Sequence, residues 1–308
     1  MRNGRFAPSP TGDLHLGNLR TALVAWLWAR AEGGAFWLRM ENLDPITSRV
    51  EWERSQCADL QTFGIDWDGP VLRQTDRVEI YREAIADLSA SGRTYWCYCT
   101  RREIAESAQA PHGIGGLYPQ TCRHLTRAQR SAREAQGRPP ALRLLVTEAE
   151  FSFDDAVVGT VSGPVDDVVL VRNDGVVSYN FASVFDDAST EVQCVVRGDD
   201  LLSSTPRQLA IAQACSFTPP GYAHIPLVLA PDGSRLAKRH GAVTLGQRFE
   251  AGQTPAMLCA QLARSAGLEV PEKEIVPREL VDRFTSETLS RSPWVVPEEL
   301  LSSSPLAT

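Results

Sequence analysis

The stretch from Arg5 to Arg30 constrains this chain more than any other. In its second half Leu19, Ala22, Leu23, Trp26 and Leu27 fall at i, i+3, i+4, i+7 and i+8, the spacing of an amphipathic helix with one buried face. The first half, R-F-A-P-S-P-T-G-D-L-H-L-G-N, cannot be helical. Pro8 and Pro10 lack backbone donors and push Ala7 and Ser9 to extended conformations, while Gly12 permits a turn. A short strand, Gly4 to Ala7, therefore feeds a tight loop that ends at a helix N-terminus, with His15, Gly17 and Asn18 at the junction. Such a junction offers unpaired N–H groups to an anion. On H-x-G alone, an ordinary strand-to-helix connection capped by His15 is the simpler reading.

The alternation continues beyond it. Ala35 to Glu41 reads as a buried strand, Thr47 to Phe63 as a helix capped by Thr47 or Ser48, Glu79 to Ser91 as a second amphipathic helix and Thr94 to Cys99 as another strand. Strand alternating with helix predicts an α/β, doubly wound parallel sheet of the Rossmann type, with ligands beyond the carboxyl ends of the strands, where Ser9, His15 and Glu41 would lie. From Cys97 to about Asp174 the alternation lapses. Strands are expected at Leu142 to Val146 and Val168 to Arg172, with a hairpin signal at Asn173-Asp174-Gly175. The pattern resumes with Tyr179 to Asp187, a strand at Val192 to Val196, a helix at Ser204 to Cys215, a strand at His224 to Leu229 and a turn at Pro231-Asp232-Gly233. Beyond Thr254 short helices separated by prolines are expected. The division that follows is 1–96 for the first half of the catalytic domain, 97–174 for an inserted α+β domain, 175–250 for the second half and 251–308 for a short helical C-terminal region.

A chain of 308 residues can bury a sizeable core in two domains. It has no run long enough to span a bilayer and no basic-then-apolar leader, so a soluble, cytoplasmic protein is expected. Seven Cys, four of them scattered, argue against a disulfide framework and for a reducing compartment. The net charge of −7 excludes a general polyelectrolyte trap for nucleic acid. Between Arg93 and Arg143, however, nine Arg stand against three Glu, which suits either a solvated helix face or a phosphate-binding patch. Lys occurs only at Lys238 and Lys273, so a retained Lys suggests a need for a compact point charge.

R-F-A-P-S-P-T-G followed by H-L-G-N resembles the start of the glutamyl branch of class I aminoacyl-tRNA synthetases, with its "HIGH" signature at His15 to Asn18. Glu41-Asn42-Leu43-Asp44 resembles that branch's L-R-x-E-D-x-D motif, with Asn42 for an Asp and Thr47 where many members have Arg. Tyr179-Asn180-Phe181-Ala182 and Val196-Arg197-Gly198-Asp199-Asp200 resemble its Tyr and Arg motifs. Arg235-Leu236-Ala237-Lys238-Arg239 resembles a "KMSKS" loop in which Arg replaces the first Lys and Ala the Ser.

The resemblance implies a ligase that uses ATP and Mg²⁺ to activate L-glutamate. It places Arg5, Ala7, Ser9, Glu41, Tyr179 and Arg197 at the amino acid, His15, Gly17, Asn18 and Lys238 at ATP, and His15, Gly17 and Lys238 as catalytic residues. Glutamate carries two carboxylates and one ammonium, so Arg5 and Arg197 suit the former and Glu41 the latter.

Two Cys one residue apart in a strand point to opposite faces, which argues for core cysteines unless a turn intervenes. General ligand preferences nominate His124 or His112 beside three clustered Cys. C-x-C-T-R followed by G-x-Y-x-x-x-C instead resembles the zinc site of the branch's short paralogues, which implies one structural Zn²⁺ on Cys97, Cys99, Tyr118 and Cys122. Only about seventy residues follow Arg239, fewer than a large anticodon-binding region would need. The resemblance then implies transfer of glutamate to queuosine in tRNA(Asp), with the chain expected to act as a monomer. The alternatives are a truncated conventional synthetase that charges a tRNA 3′ end and a non-catalytic tRNA-binding paralogue.

Overall fold

The computed structural model describes residues 1–108, 117–237, 240–241 and 243–301. The chain runs β1 (Gly4–Phe6), α1 (Leu16–Ala31), β2 (Phe36–Met40), α2 (Val50–Phe63), β3 (Leu72–Arg73), α3 (Val78–Ala90), β4 (Thr94–Cys97) and α4 (Arg101–Ala108). There follow α5 (Arg127–Glu134), β5 (Ala141–Leu144), β6 (Glu150–Asp155), β7 (Gly159–Pro164), β8 (Val169–Val171), α6 (Tyr179–Ser189), β9 (Cys194–Gly198) and α7 (Thr205–Ala214). The last elements are β10 (Gly221–Ile225), β11 (Val228–Leu229), α8 (Leu245–Glu250), α9 (Pro255–Ser265), β12 (Trp294–Val295) and α10 (Glu298–Leu301).

Parallel pairing joins β1 to β2 and β2 to β3. A second sheet, in the order β7-β6-β10-β9, pairs β9, β10 and β6 in parallel. The two sheets meet edge to edge just before β1, where the Asn3 carbonyl accepts from the Gln193 and Cys194 amides. Strand order therefore reverses between β1 and β9. A crevice opens at such a point because the connecting helices leave toward opposite faces.

The periodicity of α1 underestimated its burial. Val24, Ala25, Trp28 and Ala29 are buried as well as the expected stripe, because α9 and the turn Pro277–Arg283 cover the face that would otherwise meet water. Trp28 meets Phe284 at 5.8 Å between ring centroids. Leu19, Leu23 and Leu27 are fully buried, each contributing about 1.5–3 kcal/mol by burial.

Several local expectations need correction. Neither Thr47 nor Ser48 caps α2, whose N-cap is Arg49, without a side-chain cap. The strand expected at Thr94 to Cys99 stops at Cys97 and runs antiparallel to β5, in a separate sheet ordered β4-β5-β8. The hairpin β6–β7 was not anticipated, and Tyr222 on β10 pairs in parallel with Asp155 on β6. Pro226, which cannot donate to a ladder, divides the strand expected at His224 to Leu229 into β10 and β11. The C-terminal stretch is not all helical, since β12 pairs with β11. The turn at Asn173-Asp174-Gly175 forms as expected, with Gly175 at φ 82° and Val171 bridged to Val177.

Candidate active site

At the β1/β9 crevice lies a cavity of about 650 Å³. Arg5, Ala7 and Ser9 reach it from β1 and the Pro loop, His15, Gly17 and Asn18 from the start of α1, Glu41 from the end of β2, Tyr179 from α6 and Arg197 from β9. Lys238 and Arg239 lie outside the described residues. Arg235 is placed on the cavity wall, 2.6 Å from Asp200.

The charged walls are fixed from behind by residues that the sequence reading passed over. Asp187 on α6 takes Arg39 Nη1 at 2.5 Å and Arg5 Nε at 3.4 Å. Arg39 also donates from Nη2 to Glu41 and to Ser183, each at 3.1 Å, and Arg5 from Nη1 to the Val196 carbonyl at 3.0 Å. Burial pushes the Asp187 carboxyl up, but Arg39 and Arg5 more than offset this and leave it lowered. Glu41 comes out on the other side, its carboxyl raised because burial outweighs Arg39 and Arg5. A carboxylate whose burial outweighs its neighbouring positive charges favours an incoming cation.

Arg197 is held on three sides. Nε donates to His224 Nε2 at 2.9 Å, Nη1 to Gln208 at 2.8 Å and Nη2 to Thr205 at 2.8 Å. Among the described residues one N–H on each terminal nitrogen has no partner, and two such donors suit a carboxylate.

At the start of α1 the simpler reading, a helix capped by His15, is the one that forms, and the expectation of open amides does not hold. His15 is its N-cap, with Nδ1 accepting from the amides of Gly17 and Asn18 at 3.1 and 3.3 Å. Leu16 N donates to the Val243 carbonyl and Leu19 N to the His15 carbonyl. The first-turn amides are therefore paired within the chain rather than open to an anion, because residues after the lysine loop fold back over the helix end. With Nδ1 accepting from these two amides, the His15 proton sits on Nε2, and the positive end of the α1 dipole faces the cavity that His15 lines. Gly17 serves this cap, since a Cβ there would lie 3.0 Å from His15 Cε1.

Away from the cavity, the sulfurs of Cys97, Cys99 and Cys122 lie within 4.8 Å of one another and could hold a metal ion. β4 ends at Cys97, so the strand alternation does not extend to Cys99, whose sulfur lies 3.5 Å from that of Cys122. Tyr118 Oη is 3.3 Å from Cys97 Sγ and accepts from the Cys122 amide. Tetrahedral thiolates at about 2.3 Å from zinc stand roughly 3.7 Å apart, so the cluster suits such an ion. His124 is exposed and outside the cluster, and His112 lies outside the described residues.

Most of the basic run is bonded within the chain, although among its described residues only Arg143 is buried. Arg93, Arg102, Arg123, Arg130, Arg138 and Arg143 all have partners within the chain, and Arg143 is buried with its guanidinium 3.7 Å from the Tyr118 ring centroid. Arg127 and Arg133, on α5, make no ion pair among the described residues.

Residues 3–303 match the family described as tRNA synthetases class I (E and Q), catalytic domain, so the chain belongs to that family and is a ligase by class. It is 54% identical over 293 residues to the Glutamyl-Q tRNA(Asp) synthetase of Nocardia farcinica, covering 95% of this chain and 92% of that one. Identity to the protein of the same name from Symbiobacterium thermophilum is 45% over 316 residues, 98% of each chain. Within the class the chain falls in the glutamyl-Q tRNA(Asp) synthetase family. A crystal structure of a glutamate tRNA ligase from Elizabethkingia meningosepticum, in complex with its amino acid, superimposes with a TM-score of 0.84 at 26% identity, over 97% of this chain and 68% of that one. Among the described residues no helix is long and apolar enough to cross a membrane.

Proposed function

We propose that the chain activates L-glutamate with ATP, without tRNA, and then transfers the glutamyl group to the queuosine base of tRNA(Asp). The observation that carries this reading is that Arg5, Arg197 and Glu41 line one cavity, each fixed by buried partners. Arg5 and Arg197 bind the two carboxylates and Glu41 the ammonium, with Tyr179, Ala7 and Ser9 completing the wall. In the first step a glutamate carboxylate oxygen attacks the α-phosphorus of ATP, the bond to the bridging oxygen breaks and pyrophosphate leaves. The nucleophile belongs to the substrate, so the protein supplies positioning and charge. His15 and the start of α1 meet the phosphates of ATP, which would enter with Mg²⁺, the nucleotide lies along Gly17 and Asn18, and Lys238 neutralises the departing pyrophosphate. Residues 97–174, with Arg127 and Arg133 of α5, receive the RNA.

The test is ATP–pyrophosphate exchange with each amino acid in the absence of tRNA. Glutamate alone should support exchange, and equal exchange with glutamine or aspartate would overturn the two-arginine pocket. Glutamate should then pass to queuosine-modified tRNA(Asp), and not to the same tRNA without queuosine or to tRNA(Glu). Stable charging of the tRNA(Glu) 3′ end would favour a conventional activity instead.

For the cysteine cluster we propose one structural Zn²⁺ on Cys97, Cys99, Cys122 and Tyr118. When bound, it would tie the end of β4 to the loop at Cys122. Elemental analysis should give one zinc per chain, and Cys99→Ser should lower it and impair RNA transfer more than adenylate formation. Metal-free protein purified without chelator would remove the site.

A further inference from the structure

Behind Arg197 stands a chain of groups that no step so far has used. His224 on β10 is fully buried. Its Nδ1 lies 2.6 Å from Asp155 Oδ2, and its Nε2 faces the Arg197 Nε–H at 2.9 Å. Arg197 Nε can only donate, so His224 Nε2 must accept, and the ring proton belongs on Nδ1, pointing at Asp155. Asp155 is itself oriented by the backbone, since Oδ1 accepts from the amides of Val157 and Val158 at 3.0 and 2.9 Å. Thr205 Oγ1 lies 3.3 Å from His224 Nε2 and takes Arg197 Nη2, closing the set around the guanidinium. The ring stacks on Tyr222, with Phe153 tilted against it.

We propose that Asp155 and His224 are positioning residues for substrate affinity: Asp155 fixes the Nδ1–H tautomer of His224, which then holds Arg197 with its terminal N–H fork turned into the cavity. The proposal rests on the reading of Arg197 as a carboxylate ligand. A protonated ring would set a second donor against the Arg197 Nε–H. Burial, with Arg197 alongside, lowers the His224 pKa from its usual 6.5 against the pull of Asp155, so the ring stays neutral at pH 7. The device joins segments far apart in sequence, because the hairpin β6–β7 must lie beside β10 before Asp155 can reach the ring.

Asp155→Asn tests it directly. The amides of Val157, Val158 and His224 all donate to Oδ1 and hold the asparagine oxygen there, which leaves the NH₂ against Nδ1. His224 Nδ1 must then accept, and its proton moves to Nε2, against the Arg197 donor. In ¹⁵N-histidine NMR, wild-type His224 should show Nδ1–H and the variant Nε2–H. The glutamate KM in pyrophosphate exchange should rise about tenfold or more, as for a lost charge-assisted hydrogen bond, while the KM for ATP and the kcat at saturating glutamate change little. His224→Gln, whose amide can donate to Asp155 and accept from Arg197, should stay closer to wild type than His224→Leu, which guards against a folding defect in the first variant. A flipped tautomer with an unchanged glutamate KM would overturn the proposal, as would an Nε2–H or a charged ring in the wild type. Arg197→Ala with an unchanged glutamate KM would instead overturn the glutamate role of Arg197, while the tautomer result would stand by itself.

Discussion

Asp187→Ala should lower the unfolding free energy by about 3–5 kcal/mol, read as a lower denaturant midpoint at unchanged slope. The carboxylate lies between Arg39 and Arg5, and all three residues are buried. Arg39 keeps Glu41 and Asp186 after the substitution. Arg5 keeps only the Val196 carbonyl among its described partners, so the penalty falls mainly on an uncompensated Arg5 in the cavity wall. Asp187→Asn retains an acceptor and should cost less. The sign of the pH dependence follows from the lowered carboxyl. Its contribution is complete above the unfolded-state value of about 3.9 and is lost as pH falls through the lower folded value. The gap between wild type and variant should therefore be constant across neutral pH and close only in acid. A loss below about 1 kcal/mol, the size of an ordinary substitution, would show that Arg5 and Arg39 do not depend on this partner.

Arg197→Ala should raise the glutamate KM roughly 10- to 100-fold, since a hydrogen bond to a charged group contributes about 1.5–3 kcal/mol. The KM for ATP should stay near wild type, because the nucleotide binds along α1. The variant also strands the buried acceptors of His224 and Gln208, so the assay belongs well below the unfolding temperature. Arg197→Lys is the informative companion, because it keeps the charge but cannot fill three acceptors and present a fork at once. Recovery of glutamate binding by lysine would mean that charge alone suffices and that the three-sided anchoring has no bearing on affinity.

Local chemistry written in consecutive residues was legible in the sequence. Pro8, Pro10 and Gly12 decided that a strand, a loop and a helix meet at His15, because proline removes donors and restricts its neighbours wherever it stands. Strand–helix alternation predicted the parallel sheet, and the crowding of Cys97, Cys99 and Cys122 with Tyr118 marked a cluster before any geometry was known. Arg5, Ala7, Ser9, His15, Gly17, Asn18, Glu41, Tyr179 and Arg197 were named and line the cavity, whereas Arg20 and Gln56, which also line it, were not, and Lys238 lies outside the described residues.

What supports those residues was settled by contacts across more than a hundred positions of sequence in several cases. Arg39 gave one visible signal, a charge inside the buried strand Ala35 to Glu41, but only the fold supplies Asp187 as its partner, 148 positions away. Asp155 sits in a stretch without regular alternation, and its meaning depends on β6 pairing with β10. The first-turn amides of α1 looked open because the Val243 carbonyl that closes one of them is more than two hundred residues distant. A local pattern specifies which groups are present and which way the backbone turns. Desolvation and the pairing of buried charges depend on every segment that packs around a group, so the tertiary structure alone decides which arginine is anchored, which is turned to the cavity and which carboxylate is left to attract a cation.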